Sequence, residues 1–262
     1  MQLQDKVVLL TGASRGLGRL IASELGRRGA RLALVARDQK GLEEVRHEVG
    51  ADRAIAIAAD LFSLDGVRAA ADATYAHFGR VDVLVNNAGM TNSFEFLKAE
   101  PEALARTVDL NLRAMVVLTR LVAERMASQH SGHIVNMASL AGVAGLTGEA
   151  TYSATKAAVR LFTISLRKEL APHGIRLTEM LIGPTETELL GQLEANRYVH
   201  GMFDNGRKLG LFVNLRPERV AVAVADAIVR EQQVVVLPSR AWWTWLPFQG
   251  VTRAVSQLLT PS

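Results

Sequence analysis

Residues Lys6 to Gly18 read KVVLLTGASRGLG, and this stretch decides the fold. Val7 to Leu10 form an apolar run of strand length without polar alternation, as expected of a strand covered on both faces. Gly12, Gly16 and Gly18 follow directly, and a helical pattern opens at Gly16. Glycines at a strand-to-helix turn let the backbone come close to a ligand, while the amides of the helix start point at an anion. A pyrophosphate is the natural occupant of such a turn. A glycine triplet alone is a weak signal; its position between first strand and first helix gives it weight.

Working outward, strand-length apolar runs recur at Lys6 to Thr11, Arg31 to Ala36, Ala54 to Ala58, Val81 to Asn86, Gly132 to Met137, Ile175 to Ile182 and Gln233 to Leu237. Helical patterns fall between them at Gly16 to Arg28, Gln39 to Glu48, Leu64 to His77, Pro101 to Ser128, Thr151 to Ala171 and Pro217 to Arg230. This alternation predicts an α/β fold, a parallel sheet with helices on both faces. Turn residues agree with the boundaries: Gly29 and Gly50 follow helices, Pro172 to Gly174 end the fifth, and Pro217 opens the sixth. No linker or repeat divides the chain, so residues 1–262 read as one domain. Residues 186–215 break the alternation and carry Gly191, Gly201, Gly206 and Gly210. A segment at the C-terminal ends of the strands is placed to act as a substrate lid.

The 262 residues are 49% hydrophobic and 21% charged, enough apolar material for a sizeable core and too little polarity for disorder. The absence of cysteine excludes disulfides, thiolate metal sites and a cysteine nucleophile. The run Val7 to Leu10 is too short for the core of an export signal, and a cytoplasmic location is expected. The net charge of +4 comes from scattered basic residues rather than a stripe, so no nucleic-acid partner is expected. His47, His77, His130, His133, His173 and His200 show no pairing with acidic residues at ligand spacing on one element, and no metal is called for. His130 and His133 flank a turn and read as solvated.

Tyr152 and Lys156 lie four apart in a helical stretch, so both side chains leave one face. An ammonium beside a phenol would favour the phenolate over the ordinary pKa of about 10. Such a pair can donate a proton to a carbonyl oxygen or take one from a hydroxyl.

The Thr11-Gly-x-x-x-Gly-x-Gly18 turn, Asn86-Asn87-Ala88-Gly89 after the fourth strand, and Tyr152 with Lys156 together resemble the short-chain dehydrogenase/reductase (SDR) family, over the chain to about residue 240. The resemblance implies a Rossmann-like doubly wound sheet of seven strands in the order 3-2-1-4-5-6-7. It implies an enzyme that moves a hydride between a nicotinamide and a carbonyl or secondary alcohol. Ser139, 13 positions before Tyr152, would then hydrogen-bond the reacting oxygen, and Asn111 would hold, through backbone and side chain, a water that relays protons to Lys156. The cofactor contacts carried over are Thr11, Gly12, Ser14, Arg15, Gly16, Leu17, Gly18, Arg37, Asp60, Leu61, Asn87, Ala88, Gly89, Tyr152, Lys156, Gly183, Thr185 and Thr187.

Charge at the tip of the second strand chooses between the two nicotinamide dinucleotides. A carboxylate there favours NAD, whereas arginine can pair with a 2′-phosphate. Ala36 stands where NAD-preferring members carry Asp, and Arg37 and Arg15 stand where NADP-preferring members carry basic residues. NADP(H) is therefore expected over NAD(H). Asp38 competes as a ribose ligand but precedes a helix and reads as its N-cap. Asp60 resembles the residue that meets the adenine amino group, with a helix cap as the alternative. The run Ile182-Gly183-Pro184-Thr185-Glu186-Thr187 departs from the family's Pro-Gly order, since Ile182 takes the proline position.

Thr91 to Phe96, Leu140 to Leu146, and Met202, Phe203, Leu211 and Phe212 suggest an apolar substrate pocket. Met115, Val116, Leu161 and Phe162 remain as apolar surplus on the long helices, where family members pair as dimers or tetramers. A homodimer or homotetramer is thus expected. The extension 240–262 holds Trp242, Trp243, Trp245 and Phe248, and 241–252 is an uncharged tract shorter than the ~18 residues of a span. It suits a subunit arm, a pocket wall or a peripheral membrane contact, the last fitting an SDR that acts on a lipid-like substrate. The rival class is a non-catalytic NADP-binding sensor, which would need the glycine turn but not Ser139, Tyr152, Lys156 and Asn111.

Overall fold

The computed structural model describes residues 1–91, 96–194, 197–208 and 214–239. In chain order the elements are β1 Val7–Thr11, α1 Gly16–Arg27, β2 Arg31–Ala36, α2 Gln39–Val49, β3 Ala54–Ala58, α3 Leu64–Phe78, β4 Val83–Asn86, α4 Pro101–Val108, α5 Met115–Ser128, β5 Gly132–Ser139, α6 Ala141–Ala144, α7 Ala150–Leu170, β6 Ile175–Ile182, α8 Glu188–Glu194, α9 Arg197–Lys208, α10 Pro217–Val229 and β7 Val234–Leu237. The strands form one parallel sheet in the order β3-β2-β1-β4-β5-β6-β7, with β1 in register against both β2 (Leu10 with Leu34) and β4 (Leu10 with Val85). The order reverses between β1 and β4, and a crevice opens at their C-terminal ends, where such sheets bind ligands.

Two-sided burial explains the unbroken apolar strands. Val8 and Leu10 face one way, into a cluster with Leu32, Leu34, Ile21, Leu25 and Val224 under α1, α2 and α10. Leu9 faces the other, with Val35, Leu84, Val67, Leu118 and Val122 under α3 and α5. Local signals set the helix ends: Asp38 caps α2 by accepting from the Gly41 amide at 3.1 Å, Ser63 caps α3 through Gly66 at 2.9 Å, and Gly79 and Gly174 turn the chain at positive φ.

Four expectations change. The predicted helix from Pro101 to Ser128 is interrupted by a π-helical turn over Asp109–Ala114, which the 3.6-residue periodicity conceals. The segment 186–215 contains α8 and α9 rather than loop alone. His200 there lies 3.3 Å from Asp204, one turn on, a pairing visible only once the segment is helical. His133, expected to be solvated, is fully buried in β5, because β4 and β6 flank the strand there and Thr178 of β6 supplies a partner at 2.7 Å.

The apolar surplus also shrinks. Met115 is buried, and Val116 and Phe162 pack with it inside the chain, leaving Leu161 (64% exposed) with Ile164 and Val108 on the surface. Among the described residues no helix is long and apolar enough to cross a membrane. The tract 241–252 lies outside the described residues.

Candidate active site

A cavity of about 570 Å³ opens at the C-terminal ends of β1, β4 and β5 and runs from the glycine turn to α8. At its closed end β5 delivers Ser139, and α7 delivers Tyr152 and Lys156 from successive turns of one face. Ser139 and Tyr152 line this part of the cavity together. The Ser139 hydroxyl donates to the Ile182 carbonyl at 3.2 Å and accepts from the Ala141 amide at 3.1 Å. Lys156 Nζ donates to the Met137 carbonyl at 2.8 Å and sits 5.7 Å from the centre of the Tyr152 ring.

These surroundings add a second influence on both groups. Burial pushes the Tyr152 hydroxyl up to about 12; the Ser139 hydroxyl acts downward, and the buried Glu149 adds to the rise. Burial pushes Lys156 down to about 8. Desolvation of both groups therefore works against the ammonium effect that the four-residue spacing suggested.

Asn111 lies in the π turn and is buried, but it does not line the cavity. Its side chain pairs both ways with the backbone of Met90, at 2.8 Å each, and donates to Thr155 Oγ1 at 3.2 Å. Those bonds commit the side chain to fastening the loop after β4 onto α7. Thr11 likewise lies behind the cavity wall, where its hydroxyl accepts from the amides of Asn87 and Ala88 at 3.0 Å each. The other predicted cofactor residues, Gly12, Ser14, Arg15, Gly16, Leu17, Gly18, Arg37, Asp60, Leu61, Asn87, Ala88, Gly89, Gly183, Thr185 and Thr187, line it together with Tyr152 and Lys156.

The glycine turn fits a dinucleotide on three counts. Gly16 has φ +54, and the space a Cβ would fill is open. Gly18 has no such room: a Cβ would lie 1.9 Å from the Gly12 carbonyl oxygen, so helix and turn close onto each other only with glycine there. The first turn of α1 carries no acidic residue and no side chain caps it, leaving its amides to an outside anion. Asp60 accepts from the Phe62 amide at 3.1 Å, while Ser63 caps α3, so Asp60 is not the helix cap that its position also allowed. Arg37 lies over the Phe62 ring at 5.3 Å.

Of the expected substrate walls, Leu140, Ala141, Ala144, Leu146 and Phe203 line the cavity. Thr91 is buried elsewhere, Phe96 is exposed away from the cavity, and residues 92–95, 211 and 212 lie outside the described residues. Glu188, Leu189 and Leu190, from the segment read as a lid, also line it, as does Pro238, which sequence reading missed because only the return of the chain after β7 brings it there. It also missed a buried amide ladder. Asn86 donates to Asn136 at 2.8 Å and Asn136 to Thr163 at 2.9 Å, linking β4, β5 and α7. The signal was present: Asn136 is an amide inside an apolar strand, and a buried amide requires partners. Among the described residues no group of acidic, histidine or cysteine side chains could hold a metal ion.

Comparison with known proteins agrees with this geometry. The family profile described as short chain dehydrogenase matches residues 6–198. A 3-oxoacyl-[acyl-carrier-protein] reductase of Synechocystis sp. is 37% identical over 196 residues, 74% of this chain and 79% of the relative. A 3-ketoacyl-(acyl-carrier-protein) reductase from Brucella melitensis, complexed with NADH, superposes with TM-score 0.78 at 33% identity, covering 89% of this chain and 96% of that one. A short-chain dehydrogenase from Sphingobium yanoikuyae in complex with NADPH gives TM-score 0.80 at 29% identity, over 96% and 95% of the two chains. With the sheet order, the glycine turn and the profile match in agreement, this chain belongs to the SDR family of oxidoreductases.

Proposed function

We propose that this protein is an NADP(H)-dependent oxidoreductase that interconverts hydrophobic ketones or aldehydes with the corresponding alcohols. The observation that carries the reading is the convergence of Ser139, Tyr152 and Lys156 on one cavity that begins at the glycine turn. Relatives named as 3-oxoacyl reductases, and neighbours bound to NADH or NADPH, support a nicotinamide cofactor and a carbonyl substrate.

The nicotinamide, when bound, supplies the hydride for reduction or accepts it in oxidation. Ser139 hydrogen-bonds the substrate oxygen as negative charge grows on it, and Tyr152 donates the proton that oxygen needs. A phenol held protonated by burial is suited to that donation. Lys156 places positive charge beneath the Tyr152 ring, and Asn111 keeps the loop after β4 against α7 so that the three side chains share one geometry. Leu140, Leu146, Leu189, Leu190 and Phe203 give the cavity its apolar character and favour an apolar substrate body.

NADP(H) is favoured over NAD(H) by Arg15 and Arg37, which line the cavity while the strand tip carries Ala36 in place of a carboxylate. Arg37→Ala is expected to weaken NADPH binding by about 10-fold and leave NADH nearly unchanged, since a charge-assisted bond to phosphate is worth about 1.5–3 kcal/mol. Calorimetric titration of both nucleotides checks this, and equal losses for the two would refute it. The overall test follows absorbance of NADPH and NADH with purified protein across hydrophobic ketones, aldehydes and quinones. Turnover only with small charged hydroxy acids would discard the apolar pocket, and tight NADPH binding without turnover would identify a sensor.

We read residues 1–262 as one domain in which 186–215 serves as the lid. Exposed Leu161, Ile164 and Val108 support association with a second copy. Light scattering at micromolar concentration is expected to give a multiple of the 28.4 kDa chain mass, and a monomer mass would refute it.

A further inference from the structure

Arg15 stands at the N-cap of α1, on the rim of the cavity, with its side chain 72% exposed. Its guanidinium is nonetheless engaged. Nη1 donates to Glu188 Oε2 at 2.8 Å, across 173 residues of sequence. Glu188 is the first residue of α8, and both side chains line the cavity. A carboxylate at a helix start is electrostatically favoured there, so α8 presents Glu188 as a fixed negative group.

The root of this segment is fastened separately. The Leu215 amide donates to the Pro184 carbonyl at 2.7 Å and the Glu186 amide to the Leu215 carbonyl at 2.9 Å. These bonds hold the two ends of the segment together and do not involve α8. The Arg15 ion pair is therefore a tie between the body of α8 and the glycine turn, and it uses the guanidinium that the NADP(H) reading assigns to phosphate. Asp38 cannot substitute for Glu188 in this way, because its carboxylate caps α2.

We propose that Glu188 is an internal competitor for the phosphate site: its carboxylate occupies Arg15 until the 2′-phosphate of NADP(H) displaces it, which frees α8 and makes Glu188 a determinant of dinucleotide choice. The proposal rests on the assignment of Arg15 and Arg37 to that phosphate. It requires no new bond chemistry, only exchange of one anion for another on one guanidinium. A nucleotide without the phosphate leaves the tie in place, so NADP(H) and NAD(H) leave α8 in different states. Arg37, whose guanidinium lies over Phe62 rather than on a carboxylate, is not subject to this competition.

The test uses 2′,5′-ADP and 5′-AMP as probes, titrated calorimetrically into the wild type and Glu188→Gln. Glu188→Gln is expected to tighten 2′,5′-ADP by about two- to fivefold, the range of an exposed ion pair, without changing 5′-AMP. Hydrogen exchange supplies a readout independent of affinity: 2′,5′-ADP is expected to speed exchange of amides 188–194 in the wild type, and 5′-AMP is not. In Glu188→Gln those amides should exchange fast without ligand. If the wild type prefers 2′,5′-ADP while Glu188→Gln binds it identically and α8 exchange does not respond, the competition is refuted and the NADP(H) reading stands. If the wild type does not distinguish the two probes, the phosphate assignment falls and takes the competition with it.

Discussion

Replacing Tyr152 by phenylalanine is expected to lower carbonyl reduction by about 10²- to 10⁴-fold, the usual span for loss of a positioned general acid. The change removes one oxygen from a buried ring and leaves its volume almost intact. Ser139 keeps two partners without it, the Ile182 carbonyl and the Ala141 amide, so no buried polar atom is stranded. Thermal stability and calorimetric NADPH affinity should therefore stay close to wild type while turnover collapses. Retained turnover in Tyr152→Phe would remove Tyr152 from the proton transfer, whatever the cofactor. The pH profile adds a second check. Tyr152, pushed up to about 12, stays protonated over the accessible range, whereas Lys156, pushed down to about 8, loses its charge within it. Reductive kcat/KM should thus be level below about 8 and fall as pH rises through it.

The second large effect concerns stability. His133 is fully buried, its Nε2 lies 2.7 Å from Thr178 Oγ1, and Nδ1 has no hydrogen-bond partner. The Thr178 hydroxyl donates its proton to the Gln232 carbonyl, so it can only accept from His133. The imidazole is consequently neutral with the proton on Nε2, and a proton added to Nδ1 would create an unpaired buried charge. Burial accordingly lowers its pKa from 6.5 to about 4. The unfolded chain takes up that proton below about 6.5 and the folded chain refuses it until about 4. This contribution to stability is complete above pH 6.5 and is lost as pH falls towards 4. The loss amounts to about 3 kcal/mol, at 1.36 kcal/mol per pKa unit. Urea unfolding at intervals from pH 7 to 4 measures it, with His133→Gln as the control whose slope should be shallower by that amount. Parallel slopes in the two proteins would show that His133 is not the responsible group.

How much of this was legible beforehand depended on the range of the interaction. The strand-turn-helix at Lys6 to Gly18 is local, and its reading held: the apolar run is β1, the glycines form the turn, and Gly18 is required by contact with the Gly12 carbonyl, only six residues away. The cap role of Asp38 followed from a signal of the same local kind, whereas the strand order was implied by the family resemblance. The spacing of Tyr152 and Lys156 correctly put both on one face of α7. It did not reveal their desolvation, because burial is set by Met137, Ser139 and the loop after β4, which are remote in sequence.

The sequence by itself determined the alternation of strands and helices and the glycine turn through local periodicity and spacing, and the family resemblance implied the sheet order and most of the residues gathered at the cavity. Only the tertiary structure decided their electrostatic state and their partners. It buried His133 where a turn was expected to solvate it, turned Asn111 into a clamp on Met90, and brought Glu188 across 173 residues onto Arg15. The physical reason is common to all three. Desolvation and charge pairing depend on which distant segments close over a group, and one-dimensional periodicity carries no information about that closure.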